Sequence, residues 1–129
     1  MIQQNNKLQV MDKTAVLVQQ SKPDKKKIFR TLTDSESFYF YRAIGEPLGE
    51  KADSLLDFLN KIQRIDVLSI AFHFYRGDFE QWVKNTLGDP DLASQLTVSE
   101  RPTLKGEVLR NYVSKRVKAR FSYYNVKKS

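Results

Sequence analysis

Helix-start signals recur along the middle of this 129-residue chain, and they restrict its fold more than any other feature. Ser and Asp side chains accept hydrogen bonds from the free N–H groups of a first helical turn, and Pro at the first helical position lacks an N–H that would have no partner. Gly77 and Gly88 are suited to end two of the helices. The signals are Ser54 with Asp57 as in a capping box, Asp66, Asp78 with Gln81, and Asp89 with Pro90.

Apolar residues follow these signals at helical spacing, which supports a helical assignment. The longest predicted helix comes after Pro102 and covers residues 104–123. We therefore predict a compact bundle of about five helices that ends in a long basic C-terminal helix. The four stripes are Leu55, Leu56, Leu59 and Ile62; Val67, Ile70, Ala71 and Phe74; Phe79, Trp82, Val83 and Thr86; and Leu109, Tyr112, Val113, Val117 and Phe121.

The first third of the chain favours strands. Residues 14–19 are short and β-branched, and residues 28–32 alternate apolar with polar side chains. Residues 21–24 between them have turn chemistry, so we predict an N-terminal β-hairpin with residues 25–27 at or beside its tip. The aromatic stretch at residues 38–41 is expected to be buried but is not assigned to an element, and residues 45–49 should break any regular structure.

Size and composition are those of one folded domain covering residues 1–129. Apolar residues make up 40% of the chain and charged residues 29%, which is too apolar for general disorder. The predicted class is α+β, mainly α. There is no cysteine and no apolar run of membrane-spanning length, and residues 1–7 are polar, unlike a secretory signal. These features lead us to expect a cytoplasmic protein that does not enter a membrane.

Charge is distributed unevenly along the chain. Residues 1–32, the predicted hairpin region, carry a net charge of +5; residues 33–102, the predicted helical core, carry −5; and residues 103–129, the predicted C-terminal helix and tail, carry +7. An acidic middle is therefore flanked by two basic ends. A polyanion would bind at those ends.

The basic ends predict contact with nucleic acid. Basic side chains displace counterions from a phosphate backbone, and tyrosine rings can stack on unpaired bases, which favours RNA or a ribonucleoprotein such as the ribosome. No helix-turn-helix or zinc signature indicates sequence-specific DNA binding. A solvated helix face or an anionic membrane surface would also account for the charge, although the Tyr and Val residues of the last stripe favour core packing. The candidate binding residues are Lys25, Lys26, Lys27, Arg30, Lys105, Arg110, Lys115, Arg116, Lys118, Arg120, Tyr123, Tyr124, Lys127 and Lys128.

His73 is the chain's only histidine, and Arg76 and Asp78 are close to it in sequence. A carboxylate that orients an imidazole is one requirement of general acid–base catalysis. The favoured interpretation is structural: Asp78 caps a helix, Arg76 is its charge partner, and His73 is a hydrogen-bonded residue at the edge of the core. Together with Trp82 these residues form a predicted structural motif.

Motifs for catalysis and metal binding are missing from the sequence. One histidine and no cysteine leave only carboxylates as metal ligands, and Glu46, Glu50, Asp53 and Asp57 are not spaced like a calcium loop. There is no Gly-x-Ser-x-Gly sequence and no phosphate-binding glycine-rich loop. We therefore expect a non-enzymatic protein without a metal or cofactor.

The middle of the chain resembles a family of small archaeal and bacterial proteins that is catalogued as a domain of unknown function. The resemblance covers roughly residues 38–96, and its most distinctive part is a block with the pattern Phe-His-x-x-Arg-Gly-Asp-Phe-x-x-Trp. It implies a compact helical module with no established activity, and the basic ends lie outside it. The block consists of residues 72–82, with Phe72, His73, Arg76, Gly77, Asp78, Phe79 and Trp82 at its defining positions.

A second function class is a protein-interaction or self-association module. The acidic middle and the basic ends are complementary, so two copies could pair, or the chain could bind an acidic protein partner. Trp82 and Tyr75, if exposed, would serve as aromatic anchors of such an interface.

Overall fold

The computed structural model describes residues 24–98 and 103–124. A two-stranded antiparallel hairpin is followed by six helical segments, so the α+β, mainly α class is confirmed. No helix in these two ranges is both long and apolar enough to cross a membrane. The elements are α1 (Lys25–Ile28), β1 (Phe38–Ala43), β2 (Glu46–Ala52), α2 (Leu55–Ile62), α3 (Val67–Arg76), α4 (Asp78–Gln81), a π-helix (Trp82–Leu87), α5 (Pro90–Gln95) and α6 (Gly106–Tyr123).

The hairpin is not where the sequence predicted it. Residues 14–19 lie outside the described residues, and the lysine run forms the helical turn α1 instead of a hairpin tip. Residues 29–33 are not a strand. The prediction was wrong because Asp24, interpreted as a turn residue, caps α1: its carboxylate accepts hydrogen bonds from the backbone N–H groups of Lys26 and Lys27 at 3.1 and 3.3 Å.

The observed hairpin is formed by the aromatic stretch and by the segment predicted to break structure. Phe38 and Phe40 are buried while Tyr39 is exposed, as expected for a strand with one face on the core. On β2, Leu48 and Gly49 form a bulge, since Phe40 is opposite Glu50 and Tyr41 is opposite Pro47. Gly49 has φ +74°, a backbone conformation that glycine adopts without strain. This explains how β2 forms although it contains Pro47 and Gly49, two residue types that usually interrupt strands.

The predicted helix starts are largely confirmed. The Ser54 hydroxyl accepts from the Asp57 N–H at 3.0 Å, and Asp66 accepts from the Leu68 N–H at 2.9 Å. Asp78 differs from the prediction, because Gly77 occupies the cap position of α4 and Asp78 is its first residue. The Asp78 carboxylate points back to α3, where two side-chain donors bind it.

An aromatic cluster forms the centre of the core between the hairpin and the helices. The Phe38 ring is its hub, with five ring neighbours at centroid distances of 4.8 to 5.9 Å. Helix α6 packs on α2 and α3. A two-stranded hairpin is at best marginally stable alone, so the hairpin depends on the packing of its aromatic side chains in this cluster. The five ring neighbours of Phe38 are Phe40, Phe58, His73, Phe79 and Trp82.

Candidate functional site

Arg120, predicted to bind nucleic acid, is instead buried in an ion pair. Its Nε and Nη2 atoms donate to the Asp89 carboxylate at 2.7 and 2.8 Å, and Asp91 lies 3.7 Å away. Arg120 is 7% exposed and Asp89 is fully buried. An arginine held in this way presents almost no charge to a phosphate, so its burial and pairing do not support the predicted contact.

Arg110 and Arg30 also make structural contacts. Arg110 donates to the Ile62 carbonyl oxygen at 2.8 Å and pairs with Glu107 at 2.7 Å. Arg30 donates to the Thr86 carbonyl oxygen at 3.0 Å. These bonds hold α6 on α2, and the segment after α1 on the π-helix. Much of the hydrogen-bonding capacity of both guanidinium groups is thus used inside the protein.

The remaining basic residues are differently placed. The lysines of α1 and α6 are exposed, Arg116 is partly buried, and none of them is paired with a carboxylate within the part of the chain that the structure describes. Lys105 is likewise exposed, at the start of α6, and Lys127 and Lys128 lie outside the described residues. We define the α1/α6 basic surface as Lys25, Lys26, Lys27, Lys115, Arg116 and Lys118.

Aromatic contacts bring the two basic segments together. The Phe29 ring, directly after α1, lies 5.1 Å from the Phe121 ring and 5.5 Å from the Tyr124 ring at the end of α6. Lys118 is three residues before Phe121 and therefore occupies a neighbouring position on the helix surface. Segments nearly a hundred residues apart in sequence thus meet at one end of the fold.

Two aromatic side chains of α6 lie next to arginines. The guanidinium carbon of Arg116 lies 3.5 Å from the centre of the Tyr112 ring, and the Arg116 Nη1 donates to the Tyr112 carbonyl oxygen at 3.4 Å. Tyr123 is 70% exposed and lies 4.9 Å from the Arg120 guanidinium. Tyr124 is partly buried against Phe29, so only Tyr123 of the two predicted tyrosines presents most of its surface to solvent. An open groove beside α6 is lined by Asn111, Tyr112, Ser114, Lys115, Arg116 and Lys118.

His73 is buried, and both of its ring nitrogens are occupied. The Tyr41 backbone N–H donates to Nε2 at 2.8 Å, which requires Nε2 to be unprotonated, so Nδ1 carries the proton and donates to Asp78 at 2.7 Å. Burial lowers the pKa of His73 below its ordinary value, against the opposing effect of Asp78. The ring therefore connects the hairpin to α3 and α4. Its burial and its bond to Asp78 agree with the structural interpretation of His73, whereas the contact with the hairpin was not predicted.

A cleft lies directly beside His73, between the hairpin and α3. Its walls are aromatic, and Arg76 and Asp78 supply its polar end. Sequence reasoning found the polar residues but missed Tyr39, Tyr41 and Ile44, which line the opposite side. The alternation of residues 38–41 was the available signal, because a strand that buries Phe38 and Phe40 must turn the two tyrosines outward.

The aromatic anchors suggested for a protein-interaction module are not surface features. Trp82 is buried, and its Nε1 donates to the Glu36 carbonyl oxygen at 2.9 Å. Tyr75 is partly buried, and its hydroxyl donates to the Leu104 carbonyl oxygen. Among the exposed large apolar side chains, those of Tyr39, Tyr41 and Ile44 are the closest to each other in sequence.

No family model, curated protein or solved structure matches the chain. The resemblance of residues 38–96 to a family of unknown function therefore stays a prediction. Among residues 24–98 and 103–124, no group of three or more histidine or carboxylate side chains is placed to hold a metal ion.

Proposed function

We propose that this protein is a non-enzymatic nucleic-acid-binding module that contacts RNA or a ribonucleoprotein through the α1/α6 basic surface. One observation carries the proposal: the Phe29–Phe121 contact joins two segments whose lysines have no carboxylate partner in the described residues. Arg30, Arg110 and Arg120 keep their structural partners, while the exposed lysines remain available to a phosphate backbone.

Local charge supports a polyanion over a neutral partner. Helix α6 carries one acidic residue, Glu107, which is at its first turn and is engaged by Arg110. Lys115 and Lys118 are exposed, and they lie too far along the helix from Glu107 to pair with its carboxylate. Unpaired cations on one side of a helix release counterions when a phosphate backbone binds, which favours association.

The stacked pair Arg116 and Tyr112 supports RNA over a featureless polyanion. A guanidinium that is already held over a ring can stack on an unpaired base with little further loss of side-chain entropy. Exposed Tyr123 offers a second ring. Bases in loops and single strands are accessible for stacking, whereas bases within a duplex are not.

The direct test is fluorescence anisotropy of a labelled single-stranded RNA with the full chain at several salt concentrations. We expect log Kd to rise linearly with log salt concentration. The double variant Lys115→Gln/Lys118→Gln should bind more weakly and reduce the slope by about 1.4, since each single-strand phosphate contact contributes about 0.7.

A matched control removes the same charge elsewhere. Arg42 and Arg64 are surface residues paired with Glu46 and Glu50 near the hairpin. The double variant Arg42→Gln/Arg64→Gln should leave the slope unchanged. Equal losses in both double variants, or an affinity that ignores salt, would contradict the proposal.

A further inference from the structure

The cleft beside His73 has a volume of 340 Å³, which is within the range of small-molecule sites. Tyr39, Tyr41 and Ile44 of the hairpin form one side, and Phe72 of α3 lies in the opposite wall. No residue of α1 or α6 lines the cleft. It is therefore a separate feature from the α1/α6 basic surface.

Hydrogen bonds beside the cleft fix the hairpin to α3. The Ser69 hydroxyl donates to the Tyr41 carbonyl oxygen at 2.7 Å, and the Tyr41 N–H donates to His73 at 2.8 Å. Ser69 and His73 are four residues apart on one face of α3, so together they bind both backbone polar groups of Tyr41, the C=O and the N–H. A site fixed in this way does not have to be ordered when a ligand binds.

The walls expose apolar surface side by side. Ile44 is 77% exposed, Tyr39 46% and Tyr41 37%. A single exposed isoleucine requires no explanation, but this one continues a wall that already contains two tyrosine rings. An apolar ligand that packs against these side chains would remove contiguous apolar surface from water.

The polar end of the cleft offers unused guanidinium donors. The Nε of Arg76 donates to Asp78 at 3.0 Å, and its guanidinium carbon lies 4.9 Å from the centre of the Phe72 ring. The two Nη groups of Arg76 have no hydrogen-bond partner among the residues that the structure describes, and the side chain is 49% exposed. Both His73 and Arg76 Nε bind the Oδ2 atom of Asp78, so the unused donors at this end of the cleft are the two Nη groups of Arg76.

We propose that this cleft binds a small aromatic carboxylate. The flat apolar body lies between the hairpin tyrosines and Phe72, next to Ile44, and the carboxylate accepts hydrogen bonds from both Nη groups of Arg76. A planar carboxylate matches the spacing of the guanidinium donors, which gives this class of anion an advantage over a spherical one. The site is independent of nucleic-acid binding.

The test compares two probes that share a phenylpropyl skeleton, 3-phenylpropionate and the neutral 3-phenylpropanol, by calorimetric or NMR titration of the full chain. The carboxylate should bind about 10-fold or more tightly than the alcohol, as charge-assisted hydrogen bonds predict. Arg76→Gln should reduce carboxylate affinity to that of the alcohol. Ile44→Ser should weaken both probes alike, and because Ile44 is exposed this variant keeps its fold.

Arg42→Gln is the matched control, since Arg42 is on the same hairpin, pairs with Glu46 and does not line the cleft. It should leave both affinities unchanged. Three results would overturn the assignment: equal affinity for the two probes, no binding of either at about 10 mM, or a concentration-dependent dimer that Ile44→Ser abolishes. The last result would make the exposed wall a self-association surface.

Discussion

Arg120 and Asp89 form a two-point ion pair inside the protein, with Nε–Oδ2 and Nη2–Oδ1 distances of 2.7 and 2.8 Å. Asp89 also accepts from the Leu92 N–H at 3.2 Å, so it caps α5 with the same carboxylate. One side chain therefore connects the start of α5 to the last turn of α6. The position of the C-terminal end of α6 depends on this connection.

Replacing Asp89 with asparagine should destabilise the fold by about 3–5 kcal/mol. Asparagine retains a capping oxygen but leaves the Arg120 guanidinium buried without its counterion. Urea denaturation of the variant measures the loss in the free energy of unfolding. Arg64→Gln, which removes an exposed pair with Glu50, should change it by less than about 1 kcal/mol. A loss for Asp89→Asn as small as that of the control would show that the pair does not hold α6.

Stability should fall as the pH drops below about 6.5 because of His73. The pKa of His73 is lowered in the folded state, so the unfolded chain takes up the proton first. The contribution is complete above about 6.5 and is lost as the pH falls toward the folded-state pKa. Protonation also removes the acceptor for the Tyr41 N–H.

Urea denaturation at pH 7.5, 6 and 5 measures this dependence. His73 is the only histidine in the chain, and the shifted carboxyl groups Glu36 and Glu107 have lowered pKa values, so they titrate below this range. His73→Gln should flatten the profile between pH 5 and 7. A profile that is equally steep in the variant would assign the effect to another group.

Arg116→Lys should weaken binding of single-stranded RNA about 5- to 50-fold while leaving binding of inorganic polyphosphate unchanged. The substitution keeps the charge but removes the planar group that lies on the Tyr112 ring. Competition experiments with both polyanions give the two affinities. Parallel losses for RNA and polyphosphate would mean that Arg116 acts only through charge, and the absence of any polyanion binding would contradict the proposed function itself.

Phe29→Ala should separate α1 from α6 without changing any charge. The Phe29 ring is partly buried, so the expected cost is about 1–2 kcal/mol, below the usual value for a fully buried phenylalanine. RNA affinity should fall to that of Lys25→Gln/Lys26→Gln, because the lysines lose their fixed position. Hydrogen exchange of the α1 amides reports the separation, and Leu68→Ala, an exposed apolar residue on α3, serves as control. Unchanged RNA affinity in Phe29→Ala would show that the two segments bind independently.

Helix starts were predictable because their causes are local. Ser54, Asp66 and Asp89 each accept from an N–H two or three residues ahead, which a single sequence displays directly. The same holds for Gly77 and Gly88, whose φ values of +79° and +78° end their helices. Such signals depend on a few neighbouring residues only.

The hairpin and the buried arginine were missed because each depends on contacts between residues that are distant in sequence. Pro47 is tolerated in β2 because it faces Tyr41, whose carbonyl oxygen and N–H both bond to side chains of α3, so no N–H is needed at this position of β2. Arg120 finds Asp89 thirty-one residues away, and no local pattern distinguishes it from Lys118. Charge counts predicted which ends are basic, but tertiary packing decided which basic residues stay exposed.

The contacts of Ser69 and His73 with the Tyr41 peptide have a further consequence for behaviour in solution. A two-stranded sheet has two edges, and the free N–H and C=O groups of each edge can pair with another strand. At Tyr41 the outward N–H and C=O groups of β1 are occupied by helix side chains. A foreign strand would have to displace both side chains before it could pair there, so α3 blocks edge-to-edge pairing at this point of β1.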